Sequence, residues 1–352
     1  QKSVYHTAQQ TEENYSLYEH IVRAIDSTAI CDGLVLMKGG DWNDAMDEVG
    51  KEGKGKSIFA TMLLYLCIKK ILPYASEKER NRWVQIMSEI SSAVENAWDG
   101  EWFIRAITDS GKVLGSKQSD DCRIDLLTQA FSARSEIAES DKIKTALYSA
   151  QKLIDEKYGI VKLFEPPFTS EQKNIGYITR YPEGVRENGG QYTHAAVWYA
   201  IALFTVGEKE KACKVMEMLN PINHARDEES VNRYKVEPFV MSADIYSGER
   251  VGEGGWTWYT GSASWTYKCI TEYMMGVNIE GDKLTLAPNL SSDYKEVTLT
   301  INQGDCHAKI TIDNESKGKK WQFVVDGVGY NVNFLRLSPS LNGREIKLRH
   351  TD

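Results

Sequence analysis

No stretch of this sequence approaches the roughly 20 consecutive apolar residues that a membrane-spanning helix needs. Charged and polar residues interrupt every apolar run, which sets aside a membrane protein. The start, QKSVYHTAQQTEENYS, has no basic stretch followed by an apolar core and so does not read as a secretory signal. It lacks an initiator Met as well, the start expected of a processed or truncated chain. Cations are in deficit: 42 Lys and Arg against 50 Asp and Glu leave a formal charge of -8, which offers no general attraction to nucleic acid. A local basic pocket for one small anion stays open. The six cysteines, Cys31, Cys67, Cys122, Cys213, Cys269 and Cys306, show neither close pairs nor metal-ligand spacing, and the six histidines are equally dispersed. No disulfide framework and no metal site are therefore expected, and the cysteines read as small core residues of a cytoplasmic protein.

What the sequence does have is length and aromatic rings. With 352 residues, 41% of them hydrophobic, it can bury one large domain and one small one. Nine Trp and 18 Tyr gather around Gly-rich polar segments, where flat apolar faces suit sugar rings and nearby amides and carboxylates suit hydroxyls. From about residue 15 to residue 275, segments such as SIFATMLLYLCIKKIL, RIDLLTQAFSARS, KTALYSAQKLIDEKY and HAAVWYAIALFTVG read as helices. Beyond about residue 277 the runs LTLAPNL, EVTLTINQG, HAKITIDN, WQFVVDG and REIKLRH are short and strand-like. The expected class is α+β and multidomain: a helical toroid over residues 1–276 and a small β-sandwich over residues 277–352.

Three Gly-rich loops between the helices hold the unusual residues. In Gly39-Gly40-Asp41-Trp42-Asn43-Asp44, Trp42 offers a platform and Asp44 a proton donor for a departing glycosidic oxygen. Asp41 and Asn43 either position hydroxyls or orient that acid. The competing reading is an Asx-rich loop capping the next helix; a calcium loop fails on its Gly and Glu positions, and GKEGKGKS is not a phosphate loop. In the second loop, Arg186, Glu187 and Gln191 are candidate contacts to phosphate or sugar. His194 stands at the start of an apolar helix, where backbone donors favour an anion. A packing or capping histidine is the alternative. In the third, Thr260 and Gly261 repeat the anion logic, and Trp256 and Trp258 either shape a sugar channel or fill the core. Glu237 reads as a sugar contact or as half of a structural ion pair.

The strings GGDWNDAMDEVG, YPEGVRENGGQYTHAA, RYKVEPFVMSADIY and GGWTWYTGSASWTY, in this order across nearly the whole chain, resemble family 94 glycoside hydrolases and phosphorylases. The resemblance implies an (α/α)6 barrel followed by a jelly-roll-like β-sandwich. It implies Asp44, the second Asp of DWND, as general acid, and His194, Thr260 and Gly261 as contacts to inorganic phosphate, the co-substrate. Phosphate would attack the anomeric carbon from the face opposite the leaving sugar and yield α-glucose 1-phosphate, with no metal or organic cofactor. LYEHIVRAID, GLVLMKGGDWNDAMDEVG and VRENGGQYTHAA look closest to β-1,2-oligoglucan phosphorylases and the phosphorylase-like part of cyclic β-1,2-glucan synthases. A β-1,2-linked oligoglucan is therefore the expected substrate. Ala45 departs from the commoner DWNDG form. The resemblance also implies an N-terminal β-domain and early barrel helices, expected from a missing segment, a partner chain or a homodimer, so activity of this chain alone is left open. Two other readings remain: an inverting hydrolase using Glu187 or Glu237 to activate water, and a non-catalytic glucan-binding or assembly fragment.

Overall fold

The computed structural model describes residues 13–258, 260–330 and 332–351, so most of the leading segment, and Tyr259 of the third loop, lie outside the described residues. Helix α1 (Leu17–Asp26) starts at a capping box in which Ser16 and Glu19 satisfy each other's backbone amides. Three later helices carry the core. Of α2 (Ile58–Ile71) one half is buried, including Phe59, Met62 and Ile68. Between α3 (Glu77–Asn96) and α5 (Ser140–Ala150) lies α4 (Leu126–Ser135), with nine of its ten residues buried. In α6 (Thr193–Thr205), eleven of thirteen are buried. A helix without a polar face must be covered on every side. That cover comes from α3, α5 and α7 (Lys209–Leu219), which pack behind α2, α4 and α6. These outer helices bury only one stripe, as Trp83, Ile90 and Val94 do on α3. After the short polar α8 (Glu228–Tyr234), α9 (Ser262–Lys268) continues into a π-helical turn at Cys269–Met274 and lies beside α6.

The inner helices α2, α4, α6 and α9 therefore stand in a row, joined by rings. Phe59 meets Phe131 at 4.8 Å, Phe131 meets Trp198 at 5.0 Å, and Trp198 meets Trp265 at 5.4 Å. Such edge-on pairs add to what their buried area supplies. Among the described residues no helix is long and apolar enough to cross a membrane. All six cysteines are unpaired, and four of them are buried.

Two segments depart from the sequence reading. The helix expected through KTALYSAQKLIDEKY stops at Ala150, because Ile154–Asp155 pairs with Ile160–Val161 across a turn containing Gly159. Helix α8 was not expected: its apolar positions show no clear stripe, and a capping box between Asp227 and Ser230 starts it instead. From Val277 onward the structure is strands. A five-stranded sheet pairs Glu296–Gln303 with Cys306–Asp313 antiparallel, and Cys306–Asp313 with Ile346–Thr351 parallel. Ile346–Thr351 in turn pairs antiparallel with Lys320–Val325. Along Cys306–Asp313, Cys306, Ala308, Ile310 and Ile312 alternate into the core. A smaller sheet joins Val277–Glu280, Lys283–Leu286 and Leu335–Arg336.

One buried ion cluster ties the helix starts together. The Arg105 guanidinium is fully buried and contacts the Asp41 carboxylate at 2.7 Å, the Asp125 carboxylate at 3.4 Å and the Ser57 hydroxyl at 3.2 Å. Ser57 caps α2 and Asp125 caps α4, so one cation joins both caps to the first Gly-rich loop. Replacing Arg105 with Met would leave two buried carboxylates without their cation. We expect a loss of about 3–5 kcal/mol of stability, measured as a lower urea midpoint at an unchanged slope.

Candidate active site

Local chemistry aims Asp44 outward. Asp41 accepts from the Asn43 amide at 2.9 Å and from the Ser57 hydroxyl at 2.7 Å, which folds the loop back before a 3-10 turn at Asp44–Met46. Ala45 and Met46 are buried, and Asp44 is left exposed. A second segment locks onto this turn. The Tyr177 amide donates to Asp47 at 3.0 Å, and the Glu48 amide donates to the Ile175 carbonyl at 3.3 Å. Between them Gly176 passes so close that an added Cβ would sit 2.4 Å from the Ala45 carbonyl oxygen. Burial, with the Asp44 carboxylate adding to it, pushes the Tyr177 phenol up to about 12.

Asp44 opens onto a cavity of about 550 Å3, lined also by Trp42, Glu187, Tyr192, His194, Trp256, Trp258, Thr260 and Gly261. Trp42 stands edge-on to Tyr192 at 5.1 Å and to His194 at 5.4 Å. His194 is the second residue of α6, and its ring packs on Trp198 at 4.2 Å. Burial, assisted by the charge of Arg134, pushes the imidazole down to about 4, so it is neutral at pH 7. Its Nε2 is buried without a hydrogen-bond partner. The start of α9 converges on the same ring, where a Cβ added to Gly261 would lie 3.4 Å from His194 Nδ1. Thr260 turns its hydroxyl oxygen to the Ser262 amide at 3.1 Å.

The acidic side of the cavity is built by Glu187 and Asp244. Glu187 is 6% exposed, and burial pushes its carboxyl above the usual range, with the Asp244 and Asp44 charges adding to the effect. Asp244 is itself buried and shifted upward for the same reason. Its carboxylate accepts the Trp256 amide at 2.9 Å and occupies the space that a side chain at position 255 would need, Cβ to Oδ1 being 2.4 Å there. The Arg186 guanidinium spans Tyr181 at 5.1 Å and Trp256 at 5.4 Å. Arg186 and Trp258 both hold positive φ, at 52° and 66°, a region bulky residues avoid unless their surroundings fix them.

Of the candidate residues, Trp42, Asp44, Glu187, His194, Trp256, Trp258, Thr260 and Gly261 meet at this one cavity. Arg186 flanks it between Tyr181 and Trp256, and the remaining candidates stand behind it. Asp41 belongs to the Arg105 cluster, and Asn43 is buried beside it. Gln191 is fully buried and accepts the Val161 amide at 2.8 Å. Glu237 accepts the Thr257 hydroxyl and the Trp258 indole, each at 3.0 Å, and so holds the third loop. Sequence reasoning did not single out Tyr177, Asp244, Arg134 or Arg105. Only Asp244 carried a local signal, an acid flanked by apolar Ala243 and Ile245. Among the described residues no group of three or more metal-ligating side chains gathers.

Residues 3–276 match the family model described as the glycosyl hydrolase 94 superfamily, catalytic domain. Cyclic beta-(1,2)-glucan synthase NdvB of Rhizobium meliloti (strain 1021) is 38% identical over 316 residues, 87% of this chain and 11% of that protein. Solabiose phosphorylase of Paenibacillus borealis is 28% identical, covering 86% of this chain and 40% of its own length. N,N'-diacetylchitobiose phosphorylase of Vibrio proteolyticus is also 28% identical, over 87% of this chain and 39% of its own length. The chain thus spans between 11% and 40% of these relatives.

The neutral state of His194 has a measurable consequence. An unfolded histidine titrates near 6.5 and this one at about 4, so between those values the unfolded chain holds the extra proton. Its contribution to stability is complete above about pH 6.5 and is lost as pH falls towards 4, by on the order of 3 kcal/mol. His224 and His350 are shifted the same way, so the His194 share is the difference that a His194→Gln variant makes. Thermal melts from pH 7.5 to 4.5 should show a shallower decline in that variant.

Proposed function

Because the chain belongs to the glycosyl hydrolase 94 superfamily, we propose that this cavity carries out inverting phosphorolysis of a β-glucoside, with Asp44 as general acid and inorganic phosphate as nucleophile. The observation that carries this reading is the meeting of Asp44 and the His194, Thr260 and Gly261 group at one cavity. Phosphate is held by neutral donors: a histidine without charge, the Thr260 hydroxyl and the first-turn amides of α6, which starts without a side-chain cap. Trp42, Trp256 and Trp258 offer flat faces to the sugar, and Arg186 and Glu187 bond its hydroxyls. With the two reactants held in line, a phosphate oxygen bonds to the anomeric carbon as the glycosidic C–O bond breaks. The Asp44 proton passes to the departing oxygen, giving α-glucose 1-phosphate and a shortened acceptor.

The identity to a protein named as a β-(1,2)-glucan synthase exceeds that to relatives named as phosphorylases of other glycosides, which supports a β-1,2-linked oligoglucan as substrate. The alternation of inner helices α2, α4 and α6 with outer helices α3, α5 and α7 supports part of an (α/α)6 barrel over residues 1–276. The strands that follow support a jelly-roll-like sandwich over residues 277–352. Inverting hydrolysis is the second reading, since Glu187 shares the cavity and is the carboxylate available to activate water. The grouping of His194, Thr260 and Gly261 at the same cavity supports phosphate rather than water as the nucleophile.

The test compares β-1,2, β-1,3 and β-1,4 glucans with and without phosphate. Phosphate-dependent release of glucose 1-phosphate from the β-1,2 substrate is expected, lowered about 10²- to 10⁴-fold by Asp44→Asn. Thr260→Val should raise the KM for phosphate roughly tenfold and leave that for the glucan nearly unchanged. Release of free glucose without phosphate would identify a hydrolase, and glucan binding without either product a binding fragment.

A further inference from the structure

Arg134 is a half-buried cation among aromatic rings. It stands in the last turn of α4, where a basic side chain ordinarily serves the terminal carbonyls. Its guanidinium instead lies over Phe131 at 4.5 Å, Trp265 at 4.9 Å and Trp198 at 5.3 Å, and its Nη1 is buried without a hydrogen-bond partner. Among the described residues no carboxylate pairs with it, unlike Arg105, which has two. Ring faces offset only part of what removing a guanidinium from water costs. An apolar side chain of the same length would fill this place at lower cost, so packing alone gives no reason for the charge. Two of the three rings have a second neighbour. Trp198 meets the His194 ring at 4.2 Å, and Trp265 meets it at 5.8 Å with the planes tilted by 30°. The guanidinium and the imidazole are therefore joined through the same pair of indoles.

We propose that Arg134 is the positioning residue of the anion-binding half of the cavity: braced against Trp198 and Trp265, it fixes the His194 ring and sets a positive charge behind it. The assignment rests on His194 holding phosphate in the proposed reaction. The guanidinium itself touches no substrate, and its charge acts in two ways on what lies beyond the indoles. It opposes a proton on the imidazole, in line with the neutral state of His194. It also attracts an anion bound beside that imidazole, and partly dry surroundings weaken this attraction less than bulk water would. Other titratable groups approach His194 from the remaining sides. Asp44, Glu187 and Tyr192 line the same cavity, and Lys268 of α9 lies over Trp265 at 5.7 Å, its charge paired with Glu272 at 3.3 Å. Around Arg134 itself stand Tyr273, Cys269 and Cys67. Of these charges, that of Arg134 is the one that bears on the imidazole.

The deciding measurement is an NMR titration of histidine imidazoles in the whole chain, followed from about pH 7.5 to about 4.5 across the ordinary histidine range, with His194→Gln identifying the signal. Arg134→Met removes the charge and keeps the length of the side chain, so the His194 midpoint should rise by about half a pH unit or more. Arg134→Gln supplies a second uncharged side chain and should give the same rise. Inorganic phosphate, added near neutral pH and followed on the same signal, should bind about tenfold more weakly to both variants. Arg134→Lys keeps the charge without the planar stack and should restore most of both values, which an arginine that only packs would not allow. Where turnover is measured, Arg134→Met should raise the KM for phosphate and leave kcat and the KM for the glucan nearly unchanged. A His194 midpoint that stays in place in both uncharged variants would overturn the assignment, as would a lysine variant as impaired as they are. Because the midpoint needs no phosphate, an unmodified chain that binds none would count against phosphorolysis, and the titration would still decide the role of Arg134.

Discussion

The loop that carries Trp42 and Asp44 and the starts of α2 and α4 are all referred to the buried charge of Arg105. An isolated guanidinium in this interior would be prohibitively costly. It is tolerated because Asp41 and Asp125 hold it charged, and their attraction outweighs the desolvation that acts on it. The same pairing sets geometry. Asp41 is the hinge of the loop that presents Trp42 and Asp44, while Ser57 and Asp125 are the caps of α2 and α4. A surface ion pair would give little rigidity; this one is inaccessible to water, and each of its oxygens has an assigned donor or cation nearby.

The cavity divides its charges unevenly. Glu187, Asp244 and Asp44 gather on one side, while the histidine on the other side is kept neutral by its tryptophan neighbours. An anion entering near His194 meets an uncharged imidazole and the Thr260 hydroxyl.

How much of this could be read from the chain alone depended on distance along it. Asp44, His194, Thr260 and Gly261 were legible because each stands in a dense local string of glycines, aromatics and polar residues, and because those strings resemble a family pattern. Inner helices such as α4 and α6 were legible from their apolar content. Arg105 sits in the unremarkable run FIRAITD, and its partners are 64 and 20 positions away, so no local pattern reveals it. Tyr177, in NIGYITR, becomes informative only when Gly176 brings it against a turn 130 positions earlier. The end of α5 was misread because a periodicity of three and four residues persists past Ala150, while the decisive event, pairing of Ile154 with Val161, lies downstream.

Helix α6 has a further consequence, for the order in which the chain can fold. With eleven buried residues and no solvent-facing stripe, it gains almost nothing from forming alone. Its cover comes from α4, made earlier, and from α7 and α9, made later. On a ribosome this apolar segment emerges before two of its three walls exist, so it must wait for them as a sticky, uncovered surface. The part of the molecule that carries His194 therefore cannot be fully covered until α7 and α9 have been made.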